Sequence, residues 1–457
     1  MTGNRYDVIV IGAGPAGMMA AGTASEAGAN VLLLEKNESP GKKLLLTGHG
    51  RCNLTNIRIM DNYREKYHEN ARFLSGSFHA FPPEEVLAFF ASLGVPAHEE
   101  EDGRYFPDSQ KSVTILDALL AYLEKQHVTI RTNEEVTSIR SQDGLWHVTT
   151  GHGSFATVCV IIATGGASFP QTGSRGDGYG LLRSVGHSVT DLAPALAPIL
   201  LRNLLRDAQT GRETAQASQD KASMSGLSLS GITLEDAAVT LLVEKNCVSK
   251  SRGSLLFTHQ GISGPAAMSL SRYLPSRDED KSLYDEEKVT VQIDLIPGIR
   301  EDVADQMLLG AMAEEPNRQM RSLVRRVFGL PERVVDLLFE EALKEIPANR
   351  VTKQQRKEIT RIAKALTFTV VCSTPLALAY VTRGGADVKA FDPKTMESRS
   401  CEGLYVVGEL LDIDGESGGY NLQNAWATGR AAGEASAQRA STHSTMPQNM
   451  IDAQNNR

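Results

Sequence analysis

Gly12-Ala-Gly14-Pro-Ala-Gly17 is the first segment whose residue types and spacing point to chemistry. Glycines at the first, third and sixth places let a chain turn tightly, bring its backbone up to a pyrophosphate and pack a helix closely on a strand, with Pro15 and Ala16 opening that helix. Glu35 follows about 20 residues on, where an acid accepts hydrogen bonds from ribose hydroxyls and repels a 2′-phosphate, so NADP is disfavoured at this first site. Next comes the loop from Ser39 to Asn56, in which small residues such as Gly50 and Cys52 alternate with Lys43, Arg51, Asn53 and Asn56. Its backbone N–H groups and cations suit a pyrophosphate, although composition alone also fits a surface loop. Far along the chain, Gly408 to Gly429 combines a strand end, the carboxylates Glu409, Asp412 and Asp414, a Gly418-Gly419 hinge and a helix start. A helix N-terminus aimed at a flavin's pyrimidine ring stabilises the negative charge that reduction places there, while a merely capped helix would show the same residues.

The elements that must position these groups are legible around them. Tyr6 to Ile11 and Asn30 to Leu34 are short apolar runs of the kind buried on both faces of a parallel sheet, and the alanine-rich stretch between them reads as a helix to about Ala27. Lys111 to Gln126 has helical spacing. Val128 to Arg131, Trp146 to Thr150 and Val158 to Ala163 read as strands, the last closing on Thr164-Gly165-Gly166. From about Asp191 the texture changes, with polar Arg206 to Ser223 and alternating patterns at Ala237 to Leu256 and Val289 to Leu295. Glu301 to Lys364 is helical in pattern. Gly403 to Gly408 reads as a strand and Asn421 to Ala437 as a helix, and the polar run from Ser441 to Arg457 has the composition of a disordered tail.

The 457 residues, 41% hydrophobic and 22% charged, suit a folded globular protein of two or three domains. Forty-seven basic against 55 acidic residues give a net charge of -8, which argues against a broad polyphosphate-binding surface and hence against nucleic acid as a partner. Five cysteines without paired or metal-like spacing fit a reducing compartment. The sequence shows no signal peptide, and its longest apolar stretch, Phe368 to Val381, is too short for a membrane span, so a cytoplasmic location is expected.

Other residues carry weaker signals. His259 is placed to move a proton if it faces a substrate, but a lone histidine is more often structural. Cys52 beside a cofactor is either a redox thiol or, more commonly, a small buried residue. Arg175 and Asp177 suit either a substrate carboxylate or a loop tie, and Tyr420 suits an aromatic wall against a ring system. No metal-ligand cluster stands out. The chain has no second glycine motif between a strand and a helix, so no separate NAD(P)H domain is expected.

Five segments in order, Tyr6–Glu35, Gly41–Asn56, Ala163–Tyr179, Leu256–Pro265 and Gly408–Gly429, resemble the aminoacetone-oxidase-like (BaiN/YhiN-type) FAD-dependent oxidoreductases. Gly-Arg-Cys-Asn at 50–53 and Gly-Gly-Tyr-Asn-Leu-Gln at 418–423 are the most specific of these. The resemblance implies an α/β fold: a Rossmann-like FAD-binding domain of the two-dinucleotide-binding-domain type, from residues 1–190 and 370–440, with an inserted β-rich substrate domain at 191–300 and a helical lobe at 301–369. It further implies that Lys36, Ala163, Thr164, Gly165, Gly408, Gly419, Tyr420, Asn421 and Leu422 line the FAD, and that the backbone of Val136 meets adenine. Relatives usually carry Gly-Asp where this chain has Gly408-Glu409, so either Glu409 or Asp412 reaches the ribityl hydroxyls. The implied activity is hydride transfer between a small organic substrate and the flavin. The implied reaction is oxidation of an amine such as aminoacetone, or reduction of an activated C=C bond with NAD(P)H as a transient reductant; an RNA-modifying or sensor flavoprotein is the weaker reading.

Overall fold

The computed structural model describes residues 5–202, 229–275, 281–339 and 345–445. They fall into two compact units, residues 1–193 with 380–457 and residues 194–379.

The first unit starts with β1 (Arg5–Ile11), α1 (Pro15–Glu26) and β2 (Val31–Leu34). β2 is buried along its whole length, as is the C-terminal half of β1, which explains why both read as unbroken apolar runs. After α2 (Ser112–Lys125) come β3 (Thr129–Arg131), β4 (Val136–Gln142), β5 (Leu145–Thr150) and β6 (Gly153–Ile162), then α3 (Asp177–Ser184). β1 pairs in parallel with β2 on one side and β6 on the other, and β2 pairs in parallel with β3. β4, β5 and the start of β6 form an antiparallel meander.

The second unit holds a six-stranded antiparallel sheet, built among the described residues from β7 (Ile199–Leu200), β8 (Thr233–Val243), β9 (Asn246–Phe257), β10 (Gly261–Ser263), β11 (Val289–Asp294) and β12 (Leu366–Thr369). Helices α4 (Glu301–Glu314), α5 (Met320–Phe328) and α6 (Lys353–Lys364) contribute Leu308, Leu323 and Ile359 to the same core as Val239, Val291 and Phe368 of the sheet. The helical pattern and the alternating pattern therefore share one core.

The chain then returns to the first unit with β13 (Leu404–Val406), parallel to β6, and α7 (Tyr420–Thr445). α7 lies against α1 almost backbone to backbone. A Cβ at Gly429 would stand 2.4 Å from the Ala16 carbonyl oxygen, and one at Gly433 would stand 2.6 Å from that of Ala20. These glycines, one turn apart, set the C-terminal motif beside the N-terminal one. The helix runs past Ser441, where composition suggested disorder, because Ala432, Ala437 and Ala440 keep one side buried; residues 446–457 lie outside the described residues.

Candidate functional site

The turn after β1 separates its three glycines by purpose. Gly12 has φ +102° and a Cβ there would lie 2.6 Å from the Ala163 carbonyl oxygen, while a Cβ at Gly17 would lie 1.9 Å from that of Gly12. Both are glycine because protein backbone presses on them. Gly14 is different: its φ of −81° suits any residue, and a Cβ would meet no protein atom within 4 Å. The first backbone bond entering α1 runs from Met18 N to Gly14 O at 2.9 Å, so the amides of the turn before it project from a helix end that carries partial positive charge.

Glu35, only 7% exposed, closes β2. Its carboxylate accepts from Ala13 N at 2.9 Å, Asn37 N at 2.9 Å and Asn37 Nδ2 at 2.7 Å, fixing the turn to the end of the second strand. Lys36 pairs with Asp177 at the start of α3, which makes Asp177 a loop tie. Arg175, just before it, is exposed. Val136 is buried at the start of β4, two residues after Glu134, whose amide donates to the Glu35 carbonyl at 2.9 Å.

β6 delivers Ala163-Thr164-Gly165 to the other side of the Gly12 turn, with Ala163 N donating to Ile11 O at 2.8 Å. Beyond it, Lys43 Nζ reaches Glu409 Oε2 at 2.7 Å and Ser168 Oγ at 2.8 Å. Ser168 Oγ and Thr382 N donate to Glu409 Oε1 at 3.1 and 3.0 Å. Both Glu409 oxygens are thus engaged by protein donors that tie three loops together. Asp412 is half-buried, and burial with the adjacent charge of Asp414 pushes its carboxyl above the ordinary aspartate range against the hydrogen bonds of Thr190 and Asn70. Gly408 follows β13, and a Cβ there would lie 2.9 Å from that of Ala16.

The two most specific sequence motifs interlock across more than 350 residues. Asn56 Nδ2 donates to Gly418 O at 3.1 Å, Thr55 Oγ1 to Gln423 Oε1 at 2.6 Å, and Trp426 Nε1 to Leu54 O at 3.0 Å. With the Asn53 amide oriented to satisfy its neighbours, its Oδ1 accepts from Gly419 N at 3.0 Å. Gly419 is glycine because a Cβ would come within 2.6 Å of the Thr55 backbone. Asn421 closes the preceding turn, accepting from Gly415 N at 2.9 Å and donating to Gly415 O at 2.8 Å. The first bond entering α7 is Gln423 N to Gly419 O at 3.0 Å, which leaves the Tyr420, Asn421 and Leu422 amides at its open end.

Several expected roles look different in place. Tyr420 is 4% exposed, its ring 5.8 Å from that of Tyr67 in an edge-to-face pair and its hydroxyl on Asn62; it packs in the core, because Gly415 and Gly418 leave room for the ring to fold back. Arg51 lies 4.0 Å over the Phe106 ring and donates to Glu100 at 2.8 Å and Gln110 at 2.9 Å. Gly50 and Cys52 flank it with φ of +84° and +64°. Cys52 is buried and burial pushes its thiol up to about 12, which favours the small buried residue over the redox thiol. His259 is exposed in the turn between β9 and β10 of the second unit. Ser168, Thr382 and Asn424 are neighbours of this site that single-residue reasoning passed over; Ser168 and Asn424 sit inside recognisable motifs, while Thr382 carries no motif and is found only through its contacts with Ala167 and Glu409.

A family model described as the HI0933-like protein Rossmann domain matches residues 6–435. The chain belongs to this family. It is 31% identical over 435 residues to a 3-dehydro-bile acid delta(4,6)-reductase of Clostridium scindens, with 94% of this chain and 98% of that one covered. It is 30% identical over 436 residues to a ribosomal RNA dihydrouridine synthase of Escherichia coli, with the same coverage, and 30% identical over 431 residues to the synthase of that name from Haemophilus influenzae, covering 93% and 96%. The chain is an FAD-dependent oxidoreductase with a Rossmann-like FAD-binding domain. The first unit fits that cofactor on its own geometry: open space stands over Gly14, and two polar atoms, Thr164 Oγ1 and Asn424 Oδ1, are buried without a protein partner. Among the described residues there is no metal-binding cluster and no helix long and apolar enough to cross a membrane.

Proposed function

We propose that the protein saturates a C=C bond conjugated to a carbonyl group in a small organic substrate. One observation carries this reading. Two relatives of equal similarity, each matched over 98% of its length, are named for different substrates, a bile acid and ribosomal RNA, yet both names describe adding hydrogen to an unsaturated ring beside a carbonyl. The bond type is what they share, and it takes precedence here over amine oxidation, which neither name supports. A small molecule is favoured over RNA by the net charge of -8 and by the second unit's arginines, many of which face carboxylates: Arg318 and Arg326 meet Glu315, Arg356 meets Asp305 and Arg361 meets Glu358.

Bound FAD, once reduced by NAD(P)H, would supply the hydride for such a saturation, and solvent would supply the proton that completes it. The Gly12–Gly17 turn and the N-terminus of α1 would hold the pyrophosphate, with Pro15 and Ala16 at the first helical positions. Glu35 keeps lone pairs for the ribose hydroxyls while its protein bonds hold the turn closed. Lys43 retains one ammonium N–H beyond its two protein bonds, and Asp412 is the carboxylate left for the ribityl side because Glu409 is committed. The open end of α7, with the amides of Tyr420, Asn421 and Leu422, would favour negative charge on the group held there. NAD(P)H acts as a transient reductant from solution. The test is anaerobic incubation with NADH or NADPH and a conjugated ring ketone such as cyclohex-2-enone: the saturated ketone should accumulate. No alkene consumption, together with peroxide formation from aminoacetone in air, would overturn the reading.

A further inference from the structure

The loop from Ala163 to Gly176 contains one backbone conformation that its sequence does not ease. Gly165, Gly173 and Gly176 take positive φ, as glycine does readily. Phe169 also takes it, with φ +54° and ψ +59°, a left-handed conformation that bulky residues rarely adopt. Its carbonyl accepts from Thr172 N at 2.9 Å and Thr172 Oγ1 at 2.7 Å, so the turn is held firmly in this shape. A glycine would serve the turn without strain, and the retained side chain points to a task for the ring.

That ring is not spent on the core. It is half-buried and meets Tyr380, itself 41% exposed, edge to face at 5.1 Å and 76°. Both residues are fixed by the polar clamp at the cofactor site. Ser168, next to Phe169, shares its one hydroxyl proton between Glu409 at 3.1 Å and the Tyr380 carbonyl at 3.3 Å, and Ala167 N donates to Thr382 Oγ1 at 2.9 Å. Lys43 completes the clamp, two residues after Gly41, whose amide donates to the Ala13 carbonyl at 3.0 Å. The aromatic pair is therefore held beside the loops that form the FAD cradle.

We propose that Phe169 and Tyr380 form the platform on which the substrate's flat unsaturated ring lies, which makes them specificity-determining residues for planar conjugated ring ketones. The proposal rests on the reductase reading for its substrate class. An edge-to-face pair offers a π surface with no strong hydrogen-bonding group on Phe169, so it selects flatness over polarity. A ring lying there is stacked, whereas a puckered saturated ring of the same size is not.

The test uses FAD-loaded full-length protein and two probes that the flavin does not reduce: 2-naphthol, which is flat, and 2-decalol, its saturated counterpart. Equilibrium dialysis of the wild type should give about tenfold tighter binding of 2-naphthol. Phe169→Gly, which suits the left-handed turn, should bring the two affinities to within about twofold of each other while FAD content stays equal to wild type. Tyr380→Ala should do the same, and Phe169→Tyr should restore the preference. Equal binding of both probes by the wild type, or an undiminished preference in Phe169→Gly, overturns the platform. Because neither probe turns over, ring preference without enone reduction removes only the reductase reading, and enone reduction without ring preference removes only the platform.

Discussion

Gly14 and Gly17 stand three residues apart, and replacing each with alanine should give opposite phenotypes. At Gly17 the new methyl would sit 1.9 Å from the Gly12 carbonyl oxygen, so backbone must move by roughly an ångström between the turn and α1. Overpacking of this kind costs about 1–3 kcal/mol, which for a unit of this size lowers Tm by roughly 2–10 °C. At Gly14 the methyl meets no protein atom, and the φ of −81° is ordinary for alanine. The small loss as an N-cap is offset by reduced freedom of the unfolded chain, so apoprotein stability should stay within about 0.5 kcal/mol. Cofactor affinity should reverse the ranking. A methyl that keeps the pyrophosphate off the turn's amides removes charge-assisted bonds worth about 1.5–3 kcal/mol, a rise in the FAD Kd of roughly ten- to a hundredfold. Thermal unfolding of apoprotein by circular dichroism and titration with FAD by flavin fluorescence quenching measure the two effects separately. The reasoning is refuted if Gly14→Ala lowers the apoprotein Tm as much as Gly17→Ala does, or if it binds FAD like the wild type.

Further outcomes follow from the same geometry. Glu35→Ala strips the acceptor from Ala13 N and Asn37 and should weaken FAD binding by about 1.5–3 kcal/mol with the fold retained, as isothermal titration would show; an unchanged Kd would make Glu35 a strand end only. In the second unit, Arg356 donates to both oxygens of Asp305 at 2.7 and 3.0 Å and holds that carboxyl below its ordinary range. A carboxyl lowered on folding stabilises above its unfolded pKa of about 4 and loses that contribution as pH falls through the folded value. Arg356→Ala should therefore cost roughly 3 kcal/mol at pH 7, and the gap to wild type in urea melts should narrow only below about pH 4; a gap that widens with acid would contradict the assignment. Exposed Cys247 should be alkylated by iodoacetamide at pH 8 while buried Cys52 remains untouched in the native protein, as peptide mass mapping would read.

The β1–α1–β2 unit was legible because a parallel strand buried on both faces leaves an unbroken apolar run, and because the glycine spacing answers to local sterics at Gly12 and Gly17. What each signature motif touches was not. Asn53, Asn56 and Thr55 take their partners from Gly418, Gly419 and Gln423, a pairing that only the close approach of α7 to α1 creates. The same distance hid the fate of Tyr420, whose motif reads as a wall against a ring system yet whose ring fits between Tyr67 and the Gly415 turn. Glu409 shows the limit in another form: the departure from aspartate was visible in the sequence, but its capture by Lys43, Ser168 and Thr382 depends on loops that the sheet brings together.

The central claim is tested most directly by a single-turnover comparison of the two half-reactions under strict anaerobiosis. Enzyme whose flavin has been photoreduced is mixed with cyclohex-2-enone, 4-androstene-3,17-dione or uridine, and oxidised enzyme is mixed with aminoacetone, each followed by flavin absorbance in a stopped-flow instrument. The proposed reading predicts that at least one ring alkene restores the oxidised flavin band with one saturated product per flavin, while aminoacetone leaves the oxidised band unchanged. Bleaching by aminoacetone, with no alkene able to reoxidise the reduced enzyme, would contradict it.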